Sequence, residues 1–588
     1  MSRASNFTAA NPLPLLLLAA LAATLPLLLH GVSCGQDMGF HLQSWLDAAH
    51  QLRHGHYPHW AFTPAWNAGE PRFLFYPPLS WLLGALLSMH LSLAAAAIVY
   101  IFIALAASGL TMHHLAQHYC SPNAALLAAA LYLANPYMLF NAFERSAFAE
   151  LLAAAWIPLL LLGILRERPT VRGIAVPVAL LWLTNAPAAV MGCYMLALLA
   201  ALRLGVLLAR RQPIGQLSAS LAGGTALGLA LPAFYLVPAA YERRYIQIAM
   251  AIIPNMRVQD NFLFTHTADA AHNAVNRTAS LLAATLLALA FVAIAILLSL
   301  RRKTAKRFEP AITLVTGSIA FMLFPVSAPL WLHLPDLAFL QFPWRLLTIL
   351  SAVLVFAIGL LLTRIRPPDS LRLLAPVLAL GLSFLGYWLY AQACEPADLT
   401  DRIATLFHTH HGAPPTDEYT PNAADNDVLR TDNPGYWFAA GPNDPAPNTT
   451  PTAAELNPSL QTDDTPVPDS QTLSTPAPQH FAVSPPAPSY LVLNLRDYPN
   501  WQVSTGCTNC LAFRLFQHVQ RDDGLLAVPL NSPGYYTIDI TWHRTADQNI
   551  GLAITALALL ALALTFRNTS QWTQTTSRNS GTRSANAA

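Results

Sequence analysis

Charge is the scarcest property of this 588-residue sequence: Asp, Glu, Lys and Arg together make up 11%, against about 25% in an ordinary soluble domain. That excludes a chain built from soluble globular domains. Nucleotide signatures are missing as well. There is no Walker A motif, no GxGxxG opening a helix after a strand and no GxSxG elbow, so nucleotide-driven transport and serine hydrolysis lose their usual support. Cysteine is sparse, with six residues. Cys507 and Cys510 in "TGCTNC" form a CxxC with no second CxxC and no strand–helix redox context. A local disulfide between them is therefore the expected reading, ahead of a metal or redox pair.

What is abundant is apolar sequence, 54% of the chain. Runs long enough for the bilayer core, about 20 residues each, recur at Pro12–Leu29, Leu91–Met112, Ala124–Phe140, Leu151–Leu165, Pro187–Ala209, Leu217–Ala239, Ala279–Leu300, Ala311–Phe324, Leu346–Thr363, Leu371–Tyr390 and Ile550–Phe566. Pro77–Met89 and Gly173–Leu183 are short for a crossing. The expected fold is a mainly α, polytopic membrane protein with about 11–14 transmembrane helices. Pro12–Leu29 reads as a retained signal anchor, since its run exceeds a usual h-region and lacks a small-x-small cleavage site. Cys34 invites a lipoprotein reading, but Gly31 stands where a lipobox wants Leu.

The few charges are asymmetric. Arg166, Arg168 and Arg172, then Arg210 and Arg211, the run Arg301-Arg302-Lys303 with Lys306 and Arg307, and Arg364 with Arg366 fall in short loops, which the positive-inside rule places in the cytoplasm. The acidic stretch from Ala391 to Asn549 falls on the other side. By the same alternation Asn141–Ser146 lies outside and His113–Ser121 inside. Leu91–Met112 is then a single crossing and Pro77–Met89 a re-entrant or partial helix; a full crossing there would flip a neighbour.

The expected domains are a signal-anchor helix (1–30), a first extracytoplasmic loop with a surface helix (31–76), a transmembrane body (77–390), a Pro/Thr-rich extracytoplasmic linker (391–488), an extracytoplasmic β-domain (489–548), a terminal transmembrane helix (549–566) and a disordered cytoplasmic tail (567–588). The linker is too poor in apolar residues to form a core of its own. After it, "SYLVLNLRDYPNWQVSTG", "LAFRLFQHVQ", "GLLAVPL" and "YYTIDITWHR" are β-rich runs between turn signals, the pattern of a small antiparallel β-sandwich. In the first loop, Met38, Leu42, Trp45, Ala49 and Leu52 follow helical spacing. Asp37, His41, Ser44 and Gln51 occupy a neighbouring stripe. Trp45 and Trp60 suit a membrane interface.

Asp37 is the strongest candidate for chemistry. A carboxylate at the hydrocarbon boundary can accept a proton from an acceptor hydroxyl or hold a divalent metal. It can equally cap the surface helix, and the two roles are compatible. His41, on the same stripe, joins the substrate-binding candidates. His50, His54, His56 and His59 close no ligand shell and read as solvated interfacial residues. Glu144, Arg145 and Glu150 in "NAFERSAFAELLAAAW" sit at the end of a span, where charge is functional or paired. Arg345 in "LQFPWRLLTIL" is suited to bidentate phosphate binding or to snorkelling. Glu418 and Tyr419, in "TDEYTPN", complete the candidates.

The ordered fragments "D…FHL..W…Q…G.YP.W….N.G.P.F.FYPPL", "R.A.AE", "FPWR", "EY.P" and "YPNWQV…GLLAVPL…G.YTIDI.W" resemble the large bacterial integral membrane proteins of the YfhO type. Some of these are labelled "6-pyruvoyl-tetrahydropterin synthase related", and they look like GT-C glycosyltransferases. No residue here supports pterin chemistry. The resemblance implies a GT-C-like body in the bacterial inner (plasma) membrane and a polyprenyl-phosphate-linked sugar as donor. The acceptor would be a glycan, lipid or protein in the cell envelope, with no nucleic acid partner. It matches Asp37 to the catalytic first-loop acid and Arg345 to the lipid phosphate, and it assigns no role to the motifs Glu144–Glu150 and Glu418–Tyr419. Many GT-C enzymes carry a second acid beside the first, whereas Gln36 precedes Asp37 here, so dependence on Mg or Mn stays open. The competing class is a non-enzymatic transporter of lipid-linked glycans, or a scaffold displaying the β-domain. A transporter would show inverted repeats with broken helices in corresponding halves, and no convincing repeat is visible.

Overall fold

The computed structural model describes residues 11–300, 308–365, 367–396, 399–409, 411–446, 479–507, 514–515 and 519–581. The basic run 301–307, Arg366, the linker stretch 447–478, Cys510 and the tail end 582–588 lie outside them. Among the described residues, nine helices are long and apolar enough to cross a membrane, and two bent pairs raise the number to eleven. This is the lower end of the expected range. Gly215–Ala230 meets Ala233–Tyr245 at 73°, and Glu309–Met322 meets Pro325–His333 at 94°. Pro232 and Pro325 stand at these breaks, where the missing N–H and the ring stop a helix. Pro78–Ser88 and Val171–Thr184 form shorter apolar helices, as their run lengths suggested.

The first helix, Leu13–His30, packs along Leu374–Tyr390, and Leu93–Ala116 packs along Pro122–Leu133. The end of the bundle that carries His30, Phe143 and Tyr390 holds the first loop and the β-domain. At the other end Asn123 reaches Asp369 (3.0 Å) and Arg166 reaches His118 (3.2 Å).

Among the described residues, seven strands make two antiparallel sheets: β1 (Tyr436–Ala439), β2 (Gln479–Val483), β3 (Ser489–Arg496), β4 (Trp501–Cys507), β5 (Arg514–Leu515), β6 (Leu525–Leu530) and β7 (Tyr536–Trp542). Their orders are β1-β3-β6 and β2-β7-β4-β5. Leu491, Leu493, Leu526 and Val528 from one sheet share a core with Val503, Ile538 and Ile540 from the other, as period-two strands of a sandwich require.

Several expectations are corrected here. The stretch 391–488 is not all linker: it supplies the helix Thr400–His408 and the strands β1 and β2. The two strands pair with β3 and β7, and Trp437 of β1 is 1% exposed. The terminal helix continues to Gly581, so Arg567–Gly581 is helical where disorder was expected. Trp45 and Trp60 do not face a membrane interface; both are fully buried in protein. Trp45 stacks on Tyr100 at 5.2 Å, and Trp60 meets Tyr498, Trp501 and Trp542 of the β-domain at 5.7–5.9 Å. The helix that carries Trp45, Met38–Arg53, packs against Pro78–Ser88 and Thr400–His408.

Candidate functional site

The site begins with a helix, a turn and another helix. Asn135 Oδ1 accepts from the Tyr137 and Met138 amides at 3.0 and 3.1 Å, and Pro136 occupies the first helical position. Both features start a helix, here Pro136–Phe143, which carries Tyr137 and Asn141. The chain then turns, with Ser146 at φ +50°, and restarts at Phe148–Ala153 with Glu150 in its first turn, where the helix dipole favours an acid.

Glu150, 2% exposed, is the centre of a buried polar network. It accepts from Tyr137 Oη at 2.6 Å, from Arg145 Nη1 at 2.7 Å and from Asn141 and Thr348 at 3.4 Å. Arg345 Nε lies 3.4 Å from the same carboxylate. Arg145 Nη1 also donates to Asn141 Oδ1 at 3.0 Å, and its guanidinium sits 5.0 Å from the Trp344 ring. Arg345 stands over Phe342 at 5.0 Å. Two guanidinium groups around one carboxylate leave one positive charge, and Asp37 answers it: its Oδ2 lies 3.6 Å from Arg145 Nη2. A buried charge is tolerable only when paired in this way.

Of the four charged groups, Asp37 alone is open, with its side chain 44% exposed against 12%, 3% and 2% for Arg345, Arg145 and Glu150. Asp37 stands at the N-cap of Met38–Arg53, but its side chain makes no capping hydrogen bond. The capping role open in the sequence is therefore absent, and the carboxylate faces Arg145 instead. The segment Ser33–Asp37 is placed by the turn it lies on. Ser33 Oγ donates to Phe143 O (2.6 Å), Gly35 N to Ser146 Oγ (3.0 Å), Ser146 Oγ to Ser33 O (3.1 Å) and Asp37 N to Arg145 O (2.8 Å). A Cβ on Gly35 would come within 2.5 Å of the Arg145 and Ser146 backbone, so only glycine permits this approach.

The remaining candidates divide. His41 is 2% exposed in a box of Phe40, Tyr76, Trp45 and Phe148 rings, and burial lowers its pKa to about 4, leaving a neutral imidazole behind Asp37. Glu144 lies on the turn but outside the network, where it accepts from Gln392 Nε2 at 2.9 Å. Tyr419 stacks on Phe75 with centroids 6.0 Å apart, and burial raises the pKa of the neighbouring Glu418 carboxyl. Tyr76 packs against the Phe40 and His41 rings, with centroids 5.0 and 5.9 Å away. Cys510 of the expected Cys507–Cys510 pair lies outside the described residues.

Sequence reasoning missed the parts that position Asp37: Ser33, Gly35, Ser146, Gln392 and a disulfide between Cys34 and Cys394. It also missed a buried clamp in "NAGEPRF". There Arg72 pairs with Glu70 at 2.8 Å and donates to Ser44 and Thr416 at 2.8 and 2.9 Å, tying the first loop to the segment that carries Glu418. A charged pair flanking proline in an apolar chain was the available signal.

The donor set does not suit a divalent metal. Asp37 has no second acid beside it, Glu150 is taken up by its five partners, and among the described residues no three His, Cys, Asp or Glu converge as ligands.

The fold and site define a polytopic membrane protein with a charged network at one end of the bundle, beneath a β-sandwich. The family model for the 6-pyruvoyl-tetrahydropterin synthase related domain, a membrane protein, matches residues 73–394. The chain belongs to that family. No curated protein matches it. Among solved structures it is similar to the arabinofuranosyltransferase AftD from Mycobacteria, at 18% identity and TM-score 0.38, over 66% of this chain and 27% of that one. It is also similar to the apo oligosaccharyltransferase of Archaeoglobus fulgidus, at 13% identity and TM-score 0.38, over 71% of this chain and 62% of that one. The chain thus spans less than a third of the arabinofuranosyltransferase it matches.

Proposed function

We propose that this protein is a membrane glycosyltransferase that moves a sugar from a polyprenyl-phosphate-linked donor to a glycan, lipid or protein acceptor outside the cytoplasm. The observation that carries the reading is the open carboxylate of Asp37, held 3.6 Å from Arg145 at the edge of a buried Arg145–Glu150–Arg345 network. Asp37 orients or deprotonates the acceptor hydroxyl. Arg345, whose Nη2 donates to no acceptor among the described residues, stabilises the phosphate as it leaves. Phosphate departure supplies the driving force, so no nucleotide is needed. The order of motifs shared with the GT-C-like family supports the donor class. The Cys34–Cys394 bond at the same end supports an oxidising, extracytoplasmic setting.

The two broken helix pairs favour a transporter as the second reading, because such breaks bind substrates and ions in transporters. Here the breaks fall at Leu231-Pro232 and Leu323-Phe324, without an ionisable side chain. The transferase reading therefore stands first.

The test is Asp37→Asn. With the variant inserted and accumulating as wild type, cell-envelope glycan should fall about 100-fold or more, in line with loss of a general base, and lipid-linked sugar should accumulate. Unchanged glycans with full complementation would sink the role given to Asp37.

A further inference from the structure

Cys34 and Cys394 are 360 residues apart in sequence, and their Cα atoms lie 4.9 Å apart across a disulfide. Cys34 stands three residues before Asp37. Cys394 follows the helix Leu374–Tyr390, in a stretch with no regular structure. Around the bond the two strands of chain are laced together. Cys34 N donates to Gln392 O at 3.2 Å and Gln392 N to Ser33 Oγ at 2.8 Å, and the Gln392 side chain crosses to Glu144 at 2.9 Å. Three segments thus meet beside Asp37: its own, the Glu144–Ser146 turn and Gln392–Cys394. The hydrogen bonds between them involve hydroxyls and loop amides, buried at Ser33 and Ser146 and part-buried at Gln392. The disulfide is the covalent link in this junction. Cys34 is 8% exposed and Cys394 only partly buried, so the bond can be reached from the side on which Cys394 lies.

We infer that the Cys34–Cys394 disulfide is a positioning bond for Asp37, fixing its segment on the Glu144–Ser146 turn so that the carboxylate stays against Arg145. The pair acts through Asp37 and touches no substrate. Reduction adds two electrons and two protons, breaks the S–S bond and leaves two thiols. A phosphine reductant leaves as its oxide, with the oxygen taken from water. The glycan readout below rests on the function proposed above; the exchange readout does not.

The experiment compares the full chain in detergent micelles oxidised, reduced with a water-soluble phosphine, and as Cys34→Ser/Cys394→Ser. Hydrogen exchange is followed over residues 33–38 and 144–147, and peptide mapping of the oxidised protein reports the bond. The expected result is a Cys34–Cys394 cross-linked peptide and exchange at least ten-fold faster in both segments after reduction. Exchange in Leu93–Ala116 and Leu347–Ile365 should not change, and reoxidation should restore protection, which a folding lesion would not allow. Free thiols at both positions in the oxidised protein, unchanged exchange at 33–38, or an equal rise across the bundle helices each overturn the inference. Reduction of the wild type covers the case in which the double variant does not accumulate. If protection is lost locally while the double variant makes wild-type glycan, the positioning bond stands and the catalytic role proposed for Asp37 fails.

Discussion

Asp37 Oδ2 and Arg145 Nη2 stand 3.6 Å apart, yet almost nothing in the local sequence of either residue brings them together. Arg145 is committed inward: its Nη1 serves Glu150 and Asn141, and the Trp344 ring covers one face. Only the outward Nη2 is left for Asp37. The pair is therefore the solvent end of a network whose other charges are buried. That arrangement holds a carboxylate where a substrate can reach it, at the expense of two cations that depend on a single buried acid.

That dependence gives the first prediction. Glu150→Gln leaves the guanidinium groups of Arg145 and Arg345 buried without their shared counter-charge. Removing one partner of a buried ion pair costs about 3–5 kcal/mol, so thermal unfolding in micelles should shift down by a corresponding amount and accumulation should fall. Adding Arg345→Met should recover part of the loss, because one stranded charge is then removed as well. Wild-type stability for the single variant would show that the network is not holding the turn.

How much of this was legible beforehand follows from where each signal lives. The spans were readable because bilayer thickness imposes a length and a composition on each run separately, and the eleven long runs reappear as nine spans and two broken pairs. The breaks were not, since a proline in an apolar run looks the same whether the helix bends or stops. Asp37, Arg145, Glu150 and Arg345 could be singled out because charge in so apolar a chain is rare. Their connection could not, because it runs through contacts far apart in sequence. Gly35, Ser33 and Ser146 carry no chemistry of their own, and glycine and serine are unremarkable until a second backbone is known to lie against them. Trp45 and Trp60 were misplaced for a related reason: an aromatic ring suits a lipid interface and a protein core equally well, and only the packing partner decides.

The backbone approach makes the next prediction specific to one of two nearby glycines. At Gly35 an added methyl group meets backbone atoms of Arg145 and Ser146 at 2.5 Å, and backbone cannot swing aside as a side chain can. Gly35→Ala should cost about 1–3 kcal/mol from overpacking, and it should lower transfer more than stability, because relief of the clash moves Asp37 away from Arg145. Gly39, four residues further on, has nothing within 4 Å of the same added atom. Gly39→Ala lies within the helix Met38–Arg53 and should be neutral or stabilising by up to about 1 kcal/mol. Unfolding midpoints and glycan levels of the two variants, measured side by side, check the contrast; equal behaviour would mean that the Ser33–Asp37 segment is not fixed on the turn.

Two buried groups on the same helix give opposite pH dependences. Asp47 is 4% exposed and accepts from Thr63 N at 3.1 Å, and burial raises its carboxyl from 3.8 to about 6. The folded protein then holds the proton more tightly than the unfolded chain does. The stabilisation is complete below pH 3.8 and is lost as pH rises through about 6, a change of about 3 kcal/mol. His41 runs the other way: burial lowers it from 6.5 to about 4, so its stabilisation is present above pH 6.5 and lost as pH falls towards 4, again by about 3 kcal/mol. Between pH 4 and 6 the two slopes oppose, and wild-type stability should change little on their account. Asp47→Asn, whose amide oxygen can still accept from Thr63, should unmask the histidine and make the protein lose stability on acidification through this window. His41→Phe should unmask the aspartate, so that stability falls as pH rises from 4 to 6. Unfolding midpoints of wild type and both variants at half-unit steps decide it, and parallel profiles for the three proteins would remove both groups as the source.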